Sequence, residues 1–255
     1  GINNVAIGDN AGTAITTGDN NVAVGKDALL STTTTSNSVA IGANALCQST
    51  GNENVAVGKD ALKANTAGFY NIAVGKGALA GNAGGDCNVA VGHLALIQNT
   101  SNRNTAIGAC TLYTNVSSAD NTAVGALALK LNTATNNTAV GRSALESNTT
   151  GTCNVVVGYS SLDASTTGVN LVAIGMHSLG ANTTASNNTA LGFETLCDIT
   201  TGTSNTAMGV QALRDNTTAS NNTAVGYHSM IANTTGTNND AFGDSALIDN
   251  TTGNT

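Results

Sequence analysis

The chain has 255 residues, of which 9% are charged, none is Pro or Trp, and four Tyr and three Phe make up all the aromatics. An ordinary globular domain carries roughly 25% charged residues and ~5% Pro, so a compact enzyme built on an aromatic core is excluded. The net charge is −7 with eight scattered Lys and Arg, which argues against a nucleic-acid surface, since that needs a basic patch.

In chain order, one unit repeats. An Ala–apolar–Gly triplet ends at Gly8, Gly25, Gly42 and Gly58, and recurs through to Gly226 and Gly243, giving fifteen repeats. Eleven of the fourteen intervals are 17 residues and three, after Gly42, Gly92 and Gly125, are 16. Those three keep register through Thr50, Thr100 and Thr133, so the missing residue falls in the following turn, where a deletion costs least. The residue before the glycine is always apolar, as in Ile7, Val24, Ile41 and Val57, and the one before that is Ala everywhere except Val156. Four before the glycine is Asn in thirteen repeats, the exceptions being Ser38 and Leu171. Three after it is always small, and four after it is Leu in thirteen, for instance Leu62, Leu79 and Leu96. A polar turn follows, usually close to Asn–Thr–Thr–Gly, as at Asn148 to Gly151.

Alternation of apolar and small residues before the glycine is a strand period. Two short strands and two turns fill 17 residues, whereas a two-helix repeat needs about 34, and the Gly, Asn and Thr density opposes helix. The expected fold is therefore all-β: a parallel β-solenoid of fifteen rungs, in a single repeat domain over residues 1–255 that carries no cap at either end. On this reading Ile7, Val24, Ile41 and Val57 face a packed interior, and Leu62, Leu79 and Leu96 close the same core from a second short strand. The Ala of each triplet faces something that tolerates only a small group, either the narrow interior or a tight interface. Asn54, Asn71, Asn88, Asn104, Asn121, Asn137 and Asn154 would form a ladder of side-chain amides, as in other stacked sheets. Fifteen rungs at roughly 4.8 Å each would give a rod of about 70 Å. Uncapped solenoid ends invite stacking, so the chain is expected to continue in a longer protein or to polymerise end to end.

Asn37 to Gly42 reads NSVAIG, with NNVAIG at Asn3 to Gly8, NNVAVG at Asn20 to Gly25, and NNTAVG at Asn136 to Gly141 and Asn221 to Gly226. These units resemble the head repeats of YadA-type trimeric autotransporter adhesins and the repeats of phage and viral tail fibres. The resemblance runs through the whole chain. It implies a left-handed parallel β-roll, often trimeric, displayed on a cell or virion surface. The adhesin head repeat is shorter than 17 residues, and that family's stalk and membrane anchor have no counterpart here.

Candidate chemistry is sparse. No two of Cys47, Cys87, Cys110, Cys153 and Cys197 fall in adjacent rungs, so intrachain disulfides are not expected. His93, His177 and His228 stand rungs apart and cannot share a metal, and Asp27 and Asp60 read as solvated surface. We expect no catalytic centre, no metal and no cofactor. Asn-x-Ser/Thr sequons recur in the turns, making Asn148, Asn182, Asn216, Asn233 and Asn250 candidate glycosylation sites. The sequence therefore points to a structural extracellular fibre or filament segment. An adhesin head or tail-fibre shaft is the alternative, and an ice-binding solenoid a weaker one, because the paired Thr residues sit in turns. The expected partners are copies of itself, as an end-to-end polymer or homotrimer, with surface receptors or glycans for the adhesive reading. Nucleic acid and membrane insertion are not expected. The expected location is extracellular, at a cell or virion surface.

Overall fold

In the computed structural model, which describes residues 1–254, the chain is an all-β parallel solenoid, with no helix among those residues. It forms two compact units, Gly1–Ala126 and Leu127–Thr255. The first holds β1 (Val5–Ile7), β2 (Val22–Val24), β3 (Val39–Ile41), β4 (Val55–Val57), β5 (Ile72–Val74), β6 (Val89–Val91), β7 (Thr105–Ile107) and β8 (Thr122–Val124). The second holds β9 (Thr138–Val140), β10 (Val155–Val157), β11 (Val172–Ile174), β12 (Thr189–Leu191), β13 (Thr206–Met208), β14 (Thr223–Val225) and β15 (Asp240–Phe242). Within each unit every strand pairs in parallel with the next, and equivalent residues face each other: Val55 with Ile72, Ala56 with Ala73, Val57 with Val74. No helix among the described residues is long and apolar enough to cross a membrane.

The strand faces are the reverse of those expected. The middle residue of every strand after β1, Ala40, Ala56 or Ala73 for example, is buried, and only Ala6 of the end strand is exposed. Ile7 and Ile41 are instead 61% and 39% exposed, and Val24 and Val57 are only half-buried, so none of these four is core. The interior is already occupied. Leu62, Leu79 and Leu96 are fully buried, and the Leu column stands against the strand Ala column. Gly12, which takes the Leu position in the first rung, shows that spacing: a Cβ there would lie 3.6 Å from Ala6 Cβ and 3.9 Å from Ala23 Cβ. Across so narrow a rung, Leu on one side leaves room only for a methyl on the other. The Ala column thus lines the interior of one solenoid and is not an external interface.

The Leu column does not lie on a second strand. It lies in a turn, with Leu62 at φ 47° and Leu79 at φ 49°. A left-handed conformation costs an L-residue about 1–2 kcal/mol, while complete burial of Leu contributes about 1.5–3 kcal/mol. Burial wins, and the strained turn persists because it aims the side chain inward. The glycine before it is required twice over. Gly58 has φ 134°, and a Cβ there would lie 2.6 Å from the Gly75 carbonyl oxygen of the next rung.

Candidate functional site

Two asparagine columns run through the interior of each unit. In the column that precedes the strands, Asn54, Asn71, Asn88, Asn104 and Asn121 of the first unit and Asn137 and Asn154 of the second are fully buried. From Asn54 to Asn104, and again at Asn137, the Oδ1 accepts the backbone N–H of the next asparagine: Asn71 N–H donates to Asn54 Oδ1 at 2.9 Å, and Asn88 N–H to Asn71 Oδ1 at 2.9 Å. The same Nδ2 group reaches across the turn, as Asn71 Nδ2 does to the Gly85 carbonyl at 2.8 Å. Buried amides are tolerable only when paired in this way.

The second column is the Asn of the Asn–Thr–Thr turns. Asn148, Asn182, Asn216 and Asn233 are fully buried. Asn148 Nδ2 donates to Asn132 Oδ1 at 2.6 Å and to the Gly151 carbonyl at 2.9 Å. A glycan would replace one of the two hydrogens on that nitrogen, so one of these bonds would be lost, and a fully buried side chain leaves the sugar no space; these four are therefore not glycosylation sites of the folded chain. Asn250 is half-buried, while Asn136, Asn187 and Asn221 carry their sequons on the exposed side of the turn. The turn threonines are tied down as well: Thr149 and Thr166 donate from Oγ1 to the Thr166 and Thr183 carbonyls at 2.9 and 3.1 Å.

All five cysteines are free; Cys87 and Cys153 are exposed and Cys47 is buried. Burial, reinforced by Asp198 and Glu194, pushes the Cys197 thiol up to about 11. Burial first and Asp27 second raise the Cys47 thiol too. Asp27 and Asp60 are half-buried and accept cross-rung bonds from Asn10 and Asn44 at 3.0 and 2.9 Å. Arg103 spans one rung to Asp120, Nε to Oδ1 at 2.6 Å, and that hydrogen bond holds the Asp120 carboxyl below its usual range. No three His, Cys, Asp or Glu side chains converge among the described residues.

What remains for function is the outward surface, and the sequence reading missed it by inverting the strands. In the first unit the outward residues of β1 to β8 are Val or Ile, except Thr105 and Thr122. Val5, Ile7, Ile41, Ile72, Val74 and Ile107 are at least a third exposed. In the second unit Val155, Val157, Leu191, Met208 and Phe242 are likewise exposed, now alternating with Thr138, Thr189, Thr206 and Thr223. The column one residue past the glycine separates the units further. It reads Asp9, Lys26, Ala43, Lys59, Lys76, His93, Ala109 and Ala126 in the first, whereas in the second Tyr159, Met176, Phe193, Val210 and Tyr227 run unbroken between Arg142 and Asp244.

No protein-family model matches the chain, and no curated protein or solved structure is detectably similar to it.

Proposed function

We propose that this chain is a structural fibre segment that assembles laterally with further copies of itself through the outward strand face. One observation carries the reading: the sheet is parallel, its inner face is closed by its own Ala and Leu columns, and its outer face in the first unit is a run of Val and Ile, broken only by Thr105 and Thr122, that none of the described residues covers. Contiguous exposed apolar patches beyond a few hundred Å² mark interaction surfaces. Copies of the same chain are the simplest cover, because a face that repeats every rung meets its own period in any neighbour laid alongside. The resemblance of NSVAIG at Asn37 to Gly42 to adhesin-head and tail-fibre repeats supports placing such a fibre outside the cell or on a virion.

Sedimentation velocity tests this. Wild type should be oligomeric at up to roughly 100 µM, which detects any interface tighter than about −5.5 kcal/mol. The double variant Ile41→Lys/Val157→Lys, with both changes on outward positions, should sediment as a monomer with an unchanged far-UV circular dichroism spectrum. A monomeric wild type, or a variant that stays assembled, overturns the proposal.

A further inference from the structure

We propose that Tyr159, Phe193 and Tyr227 form a binding platform for an extended β-1,4-linked polysaccharide of neutral hexopyranoses, of the cellulose or chitin type. Each ring stands one residue after the strand-ending glycine, in the rungs of β10, β12 and β14. Tyr159 and Tyr227 are 45% and 53% exposed, and Phe193 is half-buried. Met176 and Val210 occupy the rungs between them.

The spacing selects the ligand. The strands from β10 to β14 pair consecutively and in register, so rings in alternate rungs recur at about 9.6 Å, twice the roughly 4.8 Å strand separation. In an extended β-1,4 chain each sugar is turned over relative to the last. The same sugar face therefore returns once per disaccharide, at a repeat close to that of the rings. An α-linked glucan curls and cannot stay in step. A hexopyranose with equatorial substituents offers flat faces of C–H groups, which suit the electron-rich face of an aromatic ring. Its hydroxyls lie at the rim, where the next column supplies His177, Glu194, Gln211 and His228.

That column also braces the rings. His177 meets the Tyr159 ring edge-to-face at 5.6 Å, and His228 stacks on Tyr227 at 3.7 Å. Gln211 Nε2 donates to Glu194 Oε2 at 2.8 Å, beside Phe193 in sequence. Side chains ordered before binding lower its entropic cost. The first unit shows that the rungs need no rings: the same turn is made there with Lys26, Ala43, Lys59 and Lys76. The platform uses the column after the glycine and does not rest on lateral assembly through the strand face.

The test is depletion of the full chain from solution by microcrystalline cellulose, by chitin, and by raw starch as the α-linked control, repeated with Ile41→Lys/Val157→Lys so that assembly and binding fail separately. Retention on cellulose or chitin, whichever it is, supports the platform and names the hexose. Tyr159→Ala, Phe193→Ala and Tyr227→Ala should each weaken binding roughly tenfold. Tyr159→Phe and Tyr227→Phe should keep it, and Met176→Ala and Val210→Ala should stay within about twofold of wild type. Circular dichroism verifies the fold of every variant. No retention on either β-1,4 polymer, equal retention on starch, or equal losses at Met176 and Val210 would overturn the proposal.

Discussion

Truncating Asn71 to Ala tests whether the buried amide ladder holds the rungs together. Asn71 is fully buried. Its Nδ2 donates to Asn54 Oδ1 at 3.2 Å and to the Gly85 carbonyl at 2.8 Å. Its Oδ1 accepts from Asn88 N–H at 2.9 Å and from Asn88 Nδ2 at 3.1 Å. After truncation most partners keep a second bond: Gly85 O retains Asn82 Nδ2 at 2.8 Å, and Asn88 Nδ2 retains the Ser101 carbonyl at 2.8 Å. The Asn88 N–H loses its acceptor inside a closed stack. An orphaned buried donor costs about 1–3 kcal/mol, and the three other bonds, at about 0.5 kcal/mol each, bring the total to about 2.5–4.5 kcal/mol. At roughly 2–4 °C per kcal/mol for a chain of this size, Tm should fall by about 5–18 °C. Because repeat stacks depart from two-state unfolding, hydrogen exchange should also show lost protection centred on β5 and β6. The control is Thr17→Ala, an exposed turn residue outside the positive-φ positions; it should change stability by less than about 0.5 kcal/mol. A Tm for Asn71→Ala within the range of that control would refute the ladder as a source of stability.

Two further outcomes follow from the irregular positions. Asn148 Oδ1 and Ser165 Oγ are buried without a hydrogen-bond partner, and a Cβ at Gly168 would lie 2.7 Å from Leu171 Cδ1 and 3.0 Å from Ser165 Oγ. Small Ser165 therefore makes room for Leu171 where most other rungs carry two asparagines. Thermal melts should show Ser165→Asn/Leu171→Asn to be more stable than the two single changes sum to, by about 0.5–3 kcal/mol; strict additivity would refute the pairing. For the thiols, burial holds Cys197 at about 11, above the ordinary thiol range, so the folded state holds that proton more tightly than the unfolded one. Its contribution is present below pH 9 and is lost as pH rises from there towards 11. At pH 8 a maleimide should label exposed Cys87 and Cys153 well before Cys197, and equal labelling rates in the folded protein would count against the burial.

How far the sequence carried the fold depends on the column. The period, the parallel stacking and the inward Leu and Asn columns follow from Gly8 to Gly243 and their neighbours, because each column repeats one chemistry. The inside and outside of the strands did not follow, since Val–Ala–Val is apolar in both phases, and size favours the larger residue as core. The discriminating signal was present: polar residues enter the strand at Thr138, Thr189 and Asp240, in phase with Val157 and never with Ala. The Leu turn was hidden because Leu rarely adopts positive φ. The sequons were misread because the Asn of Asn–Thr–Thr turns inward while its threonines stay outside. Ile199 shows why that inward column matters. It is fully buried in the Asn position, and the asparagines on either side respond by bonding within their own rungs: Asn182 Oδ1 accepts Ala185 N–H at 2.9 Å, and Asn216 Oδ1 accepts Ala219 N–H at 3.0 Å. A rung that loses its neighbour's amide thus closes on itself, so one break leaves the stack intact. That local repair lets a repetitive interior drift at Ile199, Ser165 and Leu171 while the outward columns diverge between the two units.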